Sequence, residues 1–433
     1  MRLPPRWVVA VSLAVAAAIL GDSLLYAVLP TRYGDVGIEV VQVGVLLSAN
    51  RFIRLASNPL AGWVMARLGP RGPFLVSVFV AAATTAAYAL GLGFAALLAA
   101  RALWGVCWSF LRLGGYLAAL ESSDDRNRGY YLGFFNGVTR FGSFVAVLAG
   151  GLLTDLIGFD ATVYTFTALT VLGGVAVLRE HPPRAVRKAG VPVEAGSQTG
   201  TGTPADGNDA TSEPLLPRTG APRHALSGRI VLVYAAVFLH GLAVSGLTTA
   251  TLGLWLQSLY GPTAPVLWIS VGVATLTGFL LSARFLADFI WGPLSGHLSD
   301  RHGRLRLTLI AGLIEAAALW GLAQGGSLAA TIVSAVALFL AATALQSALD
   351  ATAGDLAPPA ARSRTMSWYA TCLDLGAAVG PLAGYYLIEA GLGPDLLYRA
   401  TGSLVVLMGL VYLTGFRGRA VESGRPAGPG VGA

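Results

Sequence analysis

The chain has 433 residues, of which 55% are hydrophobic and only 12% charged, and its mean hydropathy is +0.67. A soluble domain carries about 25% charged residues, so this supply cannot cover a water-exposed surface and most of the surface must face lipid. The formal net charge of +7 does not indicate nucleic acid, because the basic residues recur in short loops between apolar runs and do not cluster on one polar domain.

A spanning helix needs about 20 mostly apolar residues. Twelve such runs are predicted: 7–30, 40–66, 73–93, 95–119, 130–154, 160–178, 230–257, 266–298, 306–324, 327–349, 366–390 and 398–416. The first begins as a secretory leader would, but its apolar stretch continues through 24–29 and is read as a retained helix. Arg and Lys distribution sets the orientation. With the N-terminus cytoplasmic, Arg2, Arg6, Arg67, Arg71, Arg126, Arg128, Arg301, Arg304, Arg306, Arg362, Arg364 and Arg417 share that side, with the basic residues between Arg179 and Arg229. Only Arg32 and Arg399 fall on the other. Both termini are therefore expected to be cytoplasmic, in a multi-pass protein of the cell (inner or plasma) membrane.

Residues 181–228 are rich in Gly, Pro, Thr, Ala and Ser and predict a disordered cytoplasmic linker. It separates an N-terminal bundle, 1–180, from a C-terminal bundle, 229–417, and 418–433 form a cytoplasmic tail. Cys107 and Cys372 lie in apolar runs and imply no disulfide framework.

The two halves repeat. Residues 44–69 align with 278–303 at an offset of 234 without a gap. Gly44/Gly278, Ser48/Ser282, Pro59/Pro293, Gly62/Gly296, Arg67/Arg301 and Gly69/Gly303 are identical pairs. The same offset pairs Arg128/Arg362, Gly142/Gly376 and Gly150/Gly384. Small residues at such positions let helix backbones approach and slide.

Two similar halves joined by a linker are a parallel-repeat transporter architecture. The stretch Gly296-His-Leu-Ser-Asp300-Arg301-His-Gly303-Arg304 resembles the signature loop between helices 8 and 9 of the major facilitator superfamily. The N-terminal copy carries Gly62, Arg67, Gly69 and Arg71, with Ala66 where that family usually has Asp. Arg101 to Gly105 resembles the family's helix 4 motif, and Gly376, Gly380, Pro381 and Gly384 resemble its exporter motif, here in helix 11 and not helix 5. The resemblance covers essentially the whole chain. It implies an all-α membrane protein with the major facilitator fold, two pseudo-symmetric six-helix bundles, and an inner gate at the two signature loops.

Charges at bilayer depth cost several kcal/mol unless paired or hydrated. Those predicted inside helices are Asp22, Arg51, Arg54, Arg101, Arg112, Arg140, Arg284, Asp288, Glu315, Asp350 and Asp374. The offset of 234 makes Arg54 and Asp288 equivalent positions, and likewise Arg140 and Asp374, each couple carrying opposite charges. Each lies twelve residues from a signature-side end, a depth of about 18 Å at 1.5 Å per residue. In the family's fold helix 2 faces helix 11 and helix 5 faces helix 8. Two symmetric ion pairs across the halves, Arg54–Asp374 and Arg140–Asp288, are therefore expected to latch alternating access.

Asp22 and Arg51 have matching depths, so they are expected to pair, with Arg101 the other available partner of Asp22. Asp22 is also the first candidate for a proton-carrying carboxylate. Arg112 and its repeat partner Gln346 are candidate substrate contacts, because helices 4 and 10 line the cavity in the family. The sequence gives no account of Glu315, and His240 reads as a hydrogen-bonded residue or a cavity residue. Trp104, Trp108, Tyr116, Trp255 and Tyr369 read as packing or as an apolar pocket.

No P-loop, zinc motif or serine-hydrolase motif is present. The expectation is a secondary transporter and not an enzyme, using rocker-switch alternating access and coupled to protons. Its substrate is a drug or metabolite for efflux, or an organic anion. No cofactor, metal or nucleic acid is expected, and the chain is expected to act as a monomer in the bilayer. The alternative is a non-transporting sensor or assembly factor that keeps the fold, suggested by Ala66.

Overall fold

A computed structural model describes residues 4–123, 127–180, 228–266, 268–358 and 362–417. The predicted linker up to residue 227 and the tail from residue 418 lie outside the described residues. Twelve helices are found among those described. The first six are α1 (Arg6–Arg32), α2 (Val40–Leu68), α3 (Arg71–Ala87), α4 (Phe94–Glu121), α5 (Arg128–Ile157) and α6 (Phe159–Arg179). The second six are α7 (Gly228–Tyr260), α8 (Val273–His302), α9 (Arg304–Ala323), α10 (Leu328–Leu356), α11 (Arg362–Glu389) and α12 (Pro394–Arg417).

Ten of the described helices are long and apolar enough to cross a bilayer. The other two are α2, interrupted by Arg51 and Arg54, and α3, which has 17 residues. In hydrocarbon every backbone polar group must be satisfied within the segment, which leaves the helix as the available spanning form. Side-chain hydroxyls follow the same rule. Ser12 donates to Val8 O at 2.7 Å, Thr251 to Leu247 O at 2.8 Å and Thr277 to Val273 O at 2.7 Å. These short polar residues cost little at depth because the preceding turn accepts their protons.

Two boundaries differ from expectation. The third helix ends at Ala87 and not near residue 93, because Gly91 and Gly93 adopt φ of +61° and +79°, a left-handed backbone that stops a helix. The stretch expected to begin helix 8 at residue 266 instead completes an antiparallel hairpin, β1 (Thr263–Val266) with β2 (Ile269–Gly272). Its branched residues Val266, Ile269 and Val271 suit a pleated strand.

Within the halves α1 packs on α5, and α7 packs on α11; between them α2 packs on α11, and α5 on α8. Repeat-related glycines make these contacts. A Cβ on Gly142 would lie 2.6 Å from Ala16 O, and one on its equivalent Gly376 would lie 2.0 Å from Phe238 O. Across the halves, a Cβ on Gly44 would meet Pro381 O at 2.7 Å, and one on Gly278 would meet Val147 O at 2.1 Å. The backbones touch where only hydrogen fits.

α7 has one irregularity. Gly241–Thr248 is a π-helix within an otherwise α-helical span. Here α7 presses on α11: a Cβ on Gly241 would lie 2.4 Å from Leu373 O, and one on Gly246 would lie 2.8 Å from Gly380 Cα.

The molecule has two ends. The signature end holds the start of α1, the α2–α3 and α8–α9 turns and the finish of α12; the distal end holds the hairpin. The halves are clamped at the distal end. Asp155, near the end of α5, accepts from Thr275 N at 2.9 Å and Thr275 Oγ1 at 2.6 Å on α8, and from Arg32 Nη2 at 3.2 Å. Gln257 Nε2 of α7 reaches Thr31 O of α1 at 3.4 Å. This conformation is closed at the distal end.

Candidate functional site

A cavity of about 170 Å³ lies between the halves. α1 contributes Asp22, Ser23 and Tyr26; α2 contributes Asn50, Arg51 and Arg54; α4 contributes Trp104 and Trp108. From the second half come Thr249, Arg284 and Phe285. Three guanidinium groups, of Arg51, Arg54 and Arg284, face one carboxylate.

That carboxylate is already held. Asp22 Oδ1 accepts from Arg101 Nη1 at 2.5 Å and from Asn50 Nδ2 at 2.7 Å. Arg101 is 1% exposed and also donates through Nε to Leu46 O at 3.0 Å. Arg51 does not pair with Asp22 as matched depth suggested. It donates through Nε to Tyr26 Oη at 3.3 Å, and its guanidinium lies 5.7 Å from the centre of the Tyr26 ring. Asn50 and Arg51 are successive residues, so a helix turns them about 100° apart; Asn50 points at Asp22 and Arg51 does not.

Arg284 is fixed from α7. Its Nη1 donates to Thr249 Oγ1 and its Nη2 to Ser245 Oγ, each at 2.7 Å. Ser245 and Thr249 are four residues apart and share a helix face. Arg54 makes no hydrogen bond or ion pair among the described residues, and its Nε is a buried donor without an acceptor. Trp104 Nε1 is another unpartnered donor on this cavity, and Asn50 Oδ1 an unpartnered acceptor. Trp104 and Trp108 stack with ring centres 5.6 Å apart. Through Phe285 the cavity adjoins an apolar cleft of about 650 Å³ lined by Phe134, Phe141 and Phe144.

The two expected cross-half pairs behave differently. Arg140 Nη1 lies 2.8 Å from Asp288 Oδ2, joining α5 to α8, and Asp288 Oδ1 accepts from Thr343 Oγ1 at 2.8 Å. Arg54 and Asp374 form no ion pair in this conformation, although the Asp374 charge acts on both Arg54 and Arg51. Arg112 and Gln346 do not line the cavity. Arg112 is exposed and lies over the Tyr116 ring at 5.8 Å. Gln346 Nε2 donates to Asp350 Oδ1 at 2.6 Å and to Tyr369 Oη at 3.1 Å, while Tyr369 Oη donates to Asp350 at 2.6 Å.

The signature loops also differ. Gly69 and Gly303 adopt φ of +76° and +90° at the ends of α2 and α8. Gly62 and Gly296 have open space where a Cβ would lie. In the second half Arg304 joins Asp300 at 3.5 Å to Asp355 at 2.7 Å, and Arg301 is exposed. The first half has Ala66 and Pro70 at the matching positions. There Arg67 stacks over Trp63 at 4.1 Å, and Arg71 donates to Leu178 O and Glu180 O at 3.3 and 3.0 Å.

Sequence reading missed Asn50, Ser245 and Thr249. One signal was available for the first: Asn50 is the repeat equivalent of Arg284 at the offset of 234. The structure also joins two residues that had no assigned partner. His240 Nδ1 lies 3.1 Å from Glu315 Oε2, deep in the second half.

A polar cavity between two related six-helix bundles, closed to one end, is the architecture of parallel-repeat transporter folds. The chain belongs to the Major Facilitator Superfamily, whose family profile matches residues 11–277 and 249–430. The vesicular acetylcholine transporter of Torpedo torpedo is 30% identical over 153 residues, 35% of this chain and 30% of that protein. The synaptic vesicular amine transporter of Homo sapiens is 27% identical over 339 residues, 71% of this chain and 64% of that protein. The match thus spans under a third of the first relative's length and less than two thirds of the second's. A bacterial homologue of the human lysosomal transporter Spinster, solved inward-facing and occupied, superposes with a TM-score of 0.71 at 15% identity, covering 95% of this chain and 96% of that one. That likeness shows the fold.

Proposed function

We propose that this protein is a proton-coupled secondary transporter in the cell membrane that moves a small organic anion by rocker-switch alternating access, its signature end cytoplasmic. One observation carries the substrate class. The cavity is lined by Arg51, Arg54 and Arg284, while its single carboxylate, Asp22, is already neutralised by Arg101. An unpaired guanidinium is a strong donor to carboxylate or phosphate oxygens, and the free donors of Arg54 and Trp104 call for acceptors. The aromatic cleft beyond Phe285 suits an apolar body on the same substrate.

The second reading is a cationic amine, favoured by the names of the sequence relatives. It requires Asp22 to release Arg101 when the amine binds. Thermal stabilisation of the purified protein separates these, since a ligand that binds only the folded state raises the melting temperature. With citrate, benzoate, glucose and tetraphenylphosphonium as probes, an anion should stabilise, and Arg54→Ala or Arg284→Ala should abolish the effect. Stabilisation by the cation alone, lost in Asp22→Asn, would replace the anion by an amine. No stabilisation by any class would favour the non-transporting sensor.

A further inference from the structure

Asp22 is poorly placed to carry a mobile proton, because Arg101 and Asn50 hold its Oδ1. Another carboxylate is buried more deeply. Glu315 on α9 is 0% exposed, and its Oε2 faces His240 Nδ1 of α7 at 3.1 Å. Its other oxygen, Oε1, has no hydrogen-bond partner. The pair borders a cavity of about 30 Å³ inside the second half. There α10 contributes Leu345 and Leu349, while α12 contributes Val405, Met408, Gly409 and Tyr412. Tyr412 is the one other titratable group among the residues lining this space, and Thr308 of α9 adds a neutral hydroxyl.

The pair does not touch the central cavity, but one backbone joins them. His240 immediately precedes the π segment Gly241–Thr248. Ser245 lies in that segment and Thr249 follows it, and these two hydroxyls hold Arg284 at the central cavity. The π segment also abuts Leu373, the neighbour of Asp374, whose charge acts on Arg54. Short π segments within α-helices occur often at functional sites, where the helix can change its winding locally.

We infer that the His240–Glu315 pair is the proton-binding site of this carrier, and that the π segment of α7 relays its occupancy to Arg284. The inference rests on the transport reading above. With a neutral imidazole and an ionised carboxylate, the pair carries one net negative charge in an apolar site, and Oε1 has no donor. Gaining one proton, as a carboxylic acid hydrogen-bonded to the neutral imidazole, makes the pair neutral overall. The two forms thus differ by one buried charge, which an apolar surround resists strongly. The adjoining π segment is the backbone that can yield, and its yielding moves the hydroxyls that aim Arg284.

Infrared difference spectra of the purified full-length protein, taken between about pH 8 and about pH 5, on either side of neutrality, read the carbonyl stretch of a buried protonated carboxyl group. A band is expected in the wild type, absent in Glu315→Gln and kept in Asp22→Asn. Should Glu315→Gln fail to fold, Glu315→Asp keeps a carboxyl group and must show the band at a shifted frequency. The relay is read by the affinity for citrate or benzoate, whichever stabilises. It should change about tenfold across that pH range, an ordinary coupling between two sites. In Glu315→Gln the anion should still bind, with that pH dependence flattened. A band that survives Glu315→Gln, or a pH dependence unchanged in it, overturns the inference. If neither anion stabilises the wild type, the anion reading falls, while the infrared result still decides the proton site.

Discussion

Arg101 and Asp22 set the electrostatics of the cavity before any substrate arrives. Arg101 is 1% exposed and its ion-pair partner is the one carboxylate beside it, Asp22. Removing one member of a buried pair strands the other, at a cost of about 3–5 kcal/mol. Arg101→Ala should therefore lower the melting temperature steeply, and Asp22→Ala in the same chain should restore much of the loss, as coupled sites do. Purely additive losses in that double-mutant cycle would mean that the two residues act separately. This pairing was only partly legible in the sequence. Depth along a helix can be counted, and it put Arg51 level with Asp22. Rotation about the axis cannot be counted across helices whose packing is unknown, and it gave the contact to Asn50 and Arg101. The buried pair of His240 and Glu315 was hidden for the same reason, since the two residues are 75 positions apart on separate helices.

At the scale of helices, the distal clamp is built from backbone contacts. Gly278 of α8 lies against Val147 O, Gly151 of α5 against Ala274 O, and Asp155 binds Thr275 close by. A methyl group on Gly278 would stand 2.1 Å from a carbonyl oxygen that cannot rotate away. Gly278→Val should therefore hold the halves apart at the distal end and leave each bundle folded. Spin labels at Asp160 on α6 and Ser258 on α7 should show a longer distance distribution than the same labels in the parent chain. An unchanged distribution in a variant with a normal melting transition would mean that the clamp does not depend on this contact. The glycines themselves were visible in the sequence, because Gly44 and Gly278 occupy one position of the repeat. The π segment was not visible, since it arises where Gly241 and Gly246 meet the backbone of α11 and not from any local signal. The hairpin at 263–272 was absorbed into an apolar run, which hydropathy alone cannot divide.

For the whole molecule, two related halves with unequal charge make a pseudo-symmetric fold with an asymmetric lining. The helix count was legible because lipid imposes length and apolarity on every span, and the repeat because one offset aligns the two halves; the facing of α2 on α11 and α5 on α8 was implied by the family resemblance. Orientation in the bilayer has a direct test. After replacement of Cys107 and Cys372, a cysteine at Ser258 should react with an impermeant maleimide on intact cells, and one at His302 only after lysis. The reverse pattern would invert the proposed topology. The arginine lining then has an electrical consequence. Water in an open cavity takes the potential of the compartment it joins, so each net positive charge there is worth about 2.3 kcal/mol per 100 mV of membrane voltage. If the protein is the carrier proposed above, in that topology a cell interior held negative pulls its empty form toward the conformation closed at the distal end. A bound anion offsets part of that charge and weakens the hold. Voltage would thus weigh more on the return of the empty form than on the crossing of the loaded one.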